Sequence, residues 1–299
     1  MYHPEGIIPA MATPFYADGS LNLPALRQQV ERFIRAGVNA LFTLGTNGEF
    51  YALSFAEKVE VMSTVIQQTG KRLPVWVGTG CVTTEETIAL SKKAEELGAD
   101  ALSVITPYFG QVSQKAMIEH YKAVASSVKI PILLYNIPAR TGNAITRETV
   151  AELAKVENII GIKDSSGNFD NTLQYLEITD RKFAVIAGND SLILSTLMAG
   201  GVGAIAGTAN IFPERLVAMY QAWKAGDMKK AVELQDSVRP IRDCMKLGNP
   251  NSVVKRVANL IGEDLGPARA PFDGDYSVWD PAILRVLQQY YPELLEKQK

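Results

Sequence analysis

ILLYNIPARTGNAITRETVAELAKVENIIGIKDSSGN, residues 132–168, holds one full turn of the pattern that decides the fold. It opens on the apolar run ILLY and closes on a second run, IIGIK (159–163). Both runs are too short for a helix and almost continuously apolar, as a parallel strand covered on both faces must be. The same signal recurs upstream as GIIPA (6–10), ALFTL (40–44), VWVG (75–78) and ALSVI (101–105). Downstream it recurs as FAVIA (183–187) and VGAIA (202–206). Amphipathic segments with helix start signals lie between the runs. Leu26, Val30, Phe33 and Ile34 form one stripe, opened by Asn22 and Pro24 and stopped by Gly37. Ser54 with Glu57, and Thr83 with Glu86, have the spacing of capping boxes. A helix–Gly–strand junction repeats as AGVNAL (36–41), LGADAL (97–102) and AGGVGAI (199–205).

Eight strands alternating with helices predict a closed (β/α)8 TIM barrel. A doubly wound open sheet is the competing architecture, but it usually has fewer strands, and no GxGxxG follows the first one. After FPERLVAMYQAWKAG (212–226) the alternation stops. What remains reads as helices over 228–247, 251–262 and 280–298, with a Pro/Gly-rich connector at 266–275. The expected division is a barrel over 1–224 and a C-terminal three-helix extension over 225–299.

Composition narrows the function. The chain of 299 residues carries 30 basic and 32 acidic side chains, a net charge of −2. That balance offers nucleic acid or an anionic membrane no electrostatic hold. No apolar run approaches the ~20 residues of a membrane span, and MYHPEGIIPAMATPF (1–15) has neither the basic start nor the apolar stretch expected of a secretory signal. Cys81 and Cys244 make no disulfide framework, and two histidines exclude a multi-histidine metal site. The expectation is a cytoplasmic enzyme acting on small molecules.

In such a barrel the chemistry sits at the carboxyl ends of the strands. Lys163 ends the run IIGI there. Burial penalises an ammonium group, and a neutral amine can attack a ketone to give an imine that stabilises a neighbouring carbanion. The plainer alternative is a lysine snorkelling into water. GTNGE (45–49) carries two glycines on a turn after a strand: either a backbone N–H cradle for a carboxylate or simply a tight turn. Tyr135 is either a proton donor near an imine or an aromatic plug. Arg140 suits a bidentate carboxylate contact, or is an idle loop arginine. Asp190 either meets ligand or caps the helix beginning near Ser191. His120, beside the stripe of Met117, Ile118, Tyr121 and Val124, reads as packed rather than catalytic.

GTNGE at 45–49, TPYF at 106–109, YNIPARTG at 135–142, GIKDSSGN at 161–168 and GND at 188–190 together resemble the dihydrodipicolinate synthase/N-acetylneuraminate lyase family. The resemblance spans nearly the whole chain. It implies a Schiff-base class I aldolase on a (β/α)8 barrel, a homotetramer, with no metal or organic cofactor beyond the covalent imine. It implies that Lys163 forms the imine and that Tyr135 and Thr46 relay protons. Asn47 and Gly48 would hold the carboxylate of the 2-keto acid through backbone groups, and the Ile205 carbonyl would lie near it. Arg140 matches the arginine that receives the carboxylate of aspartate semialdehyde in the synthases. The implied partners are a 2-keto acid and an aldehyde. Phe109 stands where synthases of the lysine pathway have a tyrosine that reaches across a subunit interface. Lysine-inhibited members have polar groups where this chain has Phe55, Lys58 and Val82, which argues against lysine feedback. Neuraminate lyases have leucine at the Arg140 position and Asp-Glu at Asp190-Ser191. The synthase reading therefore leads, with an aldolase for 2-keto-3-deoxy sugar acids or N-acetylneuraminate as the alternative.

Overall fold

The computed structural model describes residues 4–272 and 276–296. Eight parallel strands form where the apolar runs place them: β1 Gly6–Pro9, β2 Leu41–Thr43, β3 Val75–Gly78, β4 Ala101–Ile105, β5 Ile132–Asn136, β6 Ile159–Asp164, β7 Ala184–Ala187 and β8 Gly203–Ala206. From β2 to β8 each strand pairs with the next, and β8 returns to β1 with Ile8 opposite Ile205. The last seam, between β1 and β2, is closed by a bridge between Ala10 and Phe42, where the Met11 N–H donates to the Phe42 carbonyl at 2.9 Å. With both edges joined, the sheet is a barrel and not an open sheet.

Strand periodicity separates two cores. Ala10, Phe42, Trp76, Leu133, Ile186 and Ile205 fill the barrel interior, small residues beside large ones. Leu134 and Ile162, one step out of phase with Leu133, face the helices and pack with Val30, Phe33, Val65 and Tyr121. The first helix, Leu23–Arg35, is capped by Asn22, which accepts the Ala25 N–H at 3.1 Å, and buries Leu26, Val30 and Phe33. Ser54 and Glu57 complete a reciprocal capping box. The second expected box is only half made. Thr83 accepts the Glu86 N–H, but its hydroxyl then donates to the Glu86 carboxylate.

The C-terminal segment is more broken than its periodicity predicts. The expected helix over 228–247 divides into Met228–Asp236 and Arg239–Cys244. Pro240 explains the break: it has no N–H to continue the ladder, and its ring would crowd the carbonyl four residues back. Likewise the segment from 280 forms Asp280–Tyr290 and Pro292–Glu296, parted at Pro292. The end of that expected helix, 297–298, and residues 273–275 of the connector lie outside the described residues. The helix expected over 251–262 is Pro250–Leu260. Val253 and Val257 of this helix share a buried cluster with Ile7 of β1 and with Ala204 and Ala206 of β8. That docking carries the start of the helix to the mouth of the barrel, where Pro250, Asn251 and Val254 line a cavity. Among the described residues no helix is long and apolar enough to cross a membrane.

Candidate active site

The strand period places the two central side chains. Leu133 points into the barrel, so Tyr135, two residues on, does too, and the β5–β6 register sets Tyr135 opposite Lys163. Lys163 is 4% exposed. Its Nζ lies 4.0 Å from the centroid of the Tyr135 ring and 5.3 Å from that of Phe42. Among the described residues no carboxylate or hydrogen-bond acceptor meets it. The Tyr135 Oη lies 3.1 Å from Thr46 Oγ1, within hydrogen-bonding distance.

Thr46 opens a short 3-10 turn, Thr46–Gly48, directly after β2. The N–H groups of Thr46 and Asn47 start this turn and have no acceptor among the described residues. Gly48 differs from the expectation. Its N–H donates to the Gly45 carbonyl at 3.0 Å, and it lies outside the cavity lining. Closing the turn consumes the third donor, so only the N–H groups of Thr46 and Asn47 stay without an acceptor among the described residues. Two glycines keep the floor open. A Cβ on Gly188 would fall 1.9 Å from Ser165 Oγ and 3.0 Å from Lys163 Cε, and one on Gly207 would fall 2.8 Å from Asn47 Nδ2.

Lys163, Tyr135, Thr46, Asn47, Arg140 and Ile205 all line one cavity of about 190 Å³ at the carboxyl ends of the strands. Arg140 sits on the helical turn Pro138–Thr141 after β5, exposed, its guanidinium without a partner among the described residues. Asp190 takes a third role that the sequence did not suggest. Asn189 does the capping, accepting the Ser191 N–H at 3.1 Å, while the Asp190 carboxylate accepts the N–H groups of Gly207 at 3.3 Å and Thr208 at 2.7 Å. It ties the β7 loop to the β8 loop.

Sequence reasoning missed part of the wall. Ser165 lines the cavity with a buried Oγ that has no partner among the described residues. Its signal was available, since it lies two residues beyond Lys163 on the same side of the chain. Arg242, Met245, Asn251 and Val254 come from the C-terminal helices. Asn251 Nδ2 donates to the Thr46 carbonyl and to Tyr51 Oη, both at 2.9 Å. No local pattern marks these residues.

Beneath the turn lies a buried ion pair. Glu49, in the left-handed region at φ 52°, meets Lys255 Nζ at 2.6 Å, and Lys255 also donates to the Pro267 carbonyl at 3.0 Å. Burial pushes the Lys255 amine down to about 8 against the pull of Glu49. Glu49 further accepts the backbone N–H of Arg269 at 2.9 Å. Asp164 closes β6 nearby. Burial raises its pKa, opposed by hydrogen bonds from Ser166, Asn136 and Thr172. Among the described residues the site thus offers an amine without an ion-pair partner, a phenol beside a hydroxyl, two N–H groups without an acceptor and an unengaged guanidinium. That set suits carbonyl chemistry on an anionic oxo acid.

Residues 3–277 match the model of a family described as the Dihydrodipicolinate synthetase family. A relative from Methanoculleus marisnigri, named 4-hydroxy-tetrahydrodipicolinate synthase, is 38% identical over 272 residues, 90% of this chain and 93% of its own. The solved structure of YagE from E. coli K12, described as a prophage protein belonging to the dihydrodipicolinic acid synthase family in complex with pyruvate, superposes with a TM-score of 0.93. It is 34% identical and covers 96% of this chain and 98% of its own. A further structure, described as a monomeric dihydrodipicolinate synthase variant, superposes at 0.92 with 31% identity, covering 96% of each chain.

Proposed function

The chain belongs to the dihydrodipicolinate synthetase family, and from that premise we propose a lyase that joins pyruvate to an aldehyde through an imine on Lys163. It is most like 4-hydroxy-tetrahydrodipicolinate synthase, which fits pyruvate and aspartate semialdehyde as its substrates. One observation carries the reading: Lys163 is buried, faces the cavity and has no counter-ion among the described residues, while Tyr135 beside it is within hydrogen-bonding distance of Thr46.

The neutral amine attacks the ketone carbon, a C–N bond forms, and the oxygen leaves as water after taking protons relayed by Tyr135 and Thr46. The positive imine nitrogen then accepts the electron pair released when the neighbouring methyl group gives up a proton. The resulting enamine carbon bonds to the aldehyde carbon, and the new alkoxide takes a proton to become a hydroxyl. Water, or an amine on the second substrate, displaces Lys163. The imine itself is the electron sink, so the reading calls for no metal or organic cofactor. The N–H groups of Thr46 and Asn47 suit the pyruvate carboxylate, Ile205 lies alongside, and Arg140 suits an acid group on the aldehyde.

A second reading, an aldolase for a 2-keto-3-deoxy sugar acid or N-acetylneuraminate, is favoured by Phe109. It is 100% exposed at φ 73° and has no hydroxyl to pass a proton. Borohydride added to protein and pyruvate tests the shared first half. A reduced adduct on the Lys163 peptide is expected, and an unmodified Lys163 overturns the proposal. Comparing kcat/KM for aspartate semialdehyde plus pyruvate with that for 2-keto-3-deoxy acids separates the two readings. The synthase reading is lost if only the latter turn over. The same proposal makes the enzyme a cytoplasmic homotetramer, for which a solution mass near four chains is the check.

A further inference from the structure

We propose that Arg242 is a second anion-recognising group of this site, and that with Arg140 it selects an acceptor aldehyde whose far end carries an acid group. This rests on the lyase reading above and adds the class of its second substrate.

The charges around the cavity carry the argument. Three cations line it, Lys163, Arg140 and Arg242, against one carboxylate, Asp190. Asp190 is already committed to the N–H groups of Gly207 and Thr208. The next carboxylate along the chain from Arg242, Asp243, pairs with Lys246 at 2.6 Å. Arg242 is half-buried on the helix Arg239–Cys244. Its Nη2 donates to Asn189 Oδ1 at 3.0 Å, and its Nε makes a long 3.5 Å contact with Ser191 Oγ. Both acceptors are neutral. They fix the plane of the guanidinium without cancelling its charge.

A guanidinium has five N–H donors, and these contacts use two. The others remain for the cavity that Arg242 lines. Asp243 feels the Arg242 charge, but among the described residues no carboxylate hydrogen-bonds the guanidinium, and holding it partly buried that way costs free energy that an outward-turned arginine avoids. An anionic ligand would offset that cost. Pyruvate is already provided for, because its ketone goes to Lys163 and its carboxylate suits the Thr46 and Asn47 N–H groups. The two guanidiniums therefore fall to the other reactant. Arg140 approaches from the β5 loop and Arg242 from the C-terminal helices. A carboxylate or a phosphate suits a guanidinium fork.

The test measures kcat/KM with pyruvate and three aldehydes: aspartate semialdehyde for the carboxylate, glyceraldehyde 3-phosphate for the phosphate, and glyceraldehyde as the neutral reference. Arg242→Gln should lower the charged-to-neutral ratio at least tenfold in one arm, and the arm that falls names the acid group. Arg242→Lys, which keeps a charge but not the fork, should recover part of it. A ratio that moves less than threefold in both arms, in Arg242→Gln and in Arg242→Met, overturns the proposal. Failure of wild-type protein to trap pyruvate with borohydride would sink the lyase reading itself. Trapping with an indifferent ratio would sink only the role of Arg242.

Discussion

Lys163 and Lys255 are two buried lysines in nearly the same surroundings. They are 4% and 1% exposed, and each amine lies over an aromatic ring, Tyr135 at 4.0 Å and Phe15 at 4.1 Å. They differ in what else meets the nitrogen. Lys255 has the Glu49 carboxylate at 2.6 Å and the Pro267 carbonyl at 3.0 Å, whereas Lys163 has neither and faces a cavity. Burial alone does not make a nucleophile. A carboxylate partner keeps the proton on Lys255 and turns it into a pin between the C-terminal helix and the turn after β2. Lys163 has no such partner among the described residues and faces the cavity instead.

The comparison is broken most easily at Lys163. Lys163→Arg keeps charge and bulk but cannot form an imine, so turnover should fall by about four orders of magnitude, measured as kcat with saturating pyruvate. Retention of even a few per cent would mean the nucleophile lies elsewhere. Lys255→Met should act on stability instead. It strands the Glu49 charge in the interior, a cost of about 3–5 kcal/mol by chemical denaturation. Adding Glu49→Gln should return most of that loss. A double variant no more stable than the single one would show that the pair does more than neutralise itself.

A third buried base sharpens the contrast. His120, 5% exposed, lies 2.9 Å through Nδ1 from the Thr84 hydroxyl, and burial pushes its pKa down to about 4. The unfolded chain takes up this proton nearer pH 6.5. His120 therefore contributes its stability fully above pH 6.5 and loses it as pH falls through 6.5 towards 4, on the order of 3 kcal/mol across that window. His120→Gln should flatten that part of a Tm-against-pH curve. An unchanged slope would overturn the assignment to His120, because Glu57, which Arg269 holds down at about 2, loses its contribution only below its unfolded value of 4.5.

Much of this was legible in the chain. All eight strands fall within a residue or two of the apolar runs, since a strand covered on both faces must be apolar throughout. That Lys163, Tyr135 and Thr46 line one cavity was legible because strand ends face one mouth. The errors were local competitions. Pro240 interrupted an otherwise helical stretch, Thr83 spent its hydroxyl on the Glu86 carboxylate, and Gly48 gave its N–H to Gly45. Each turns on which of two nearby partners wins, and spacing alone does not rank them.

The sequence by itself determined the barrel, the order of its strands and the set of groups at their carboxyl ends. Those follow from hydrophobic period and chain direction, which are local properties. Only the tertiary structure decided that Arg242 and Asn251, more than seventy residues beyond Lys163, complete the wall of the same cavity. It alone also decided that Glu49 would pair with Lys255 and not with Lys163. Both depend on how the C-terminal helices dock on β1 and β8, a long-range packing choice that no window of neighbouring residues encodes.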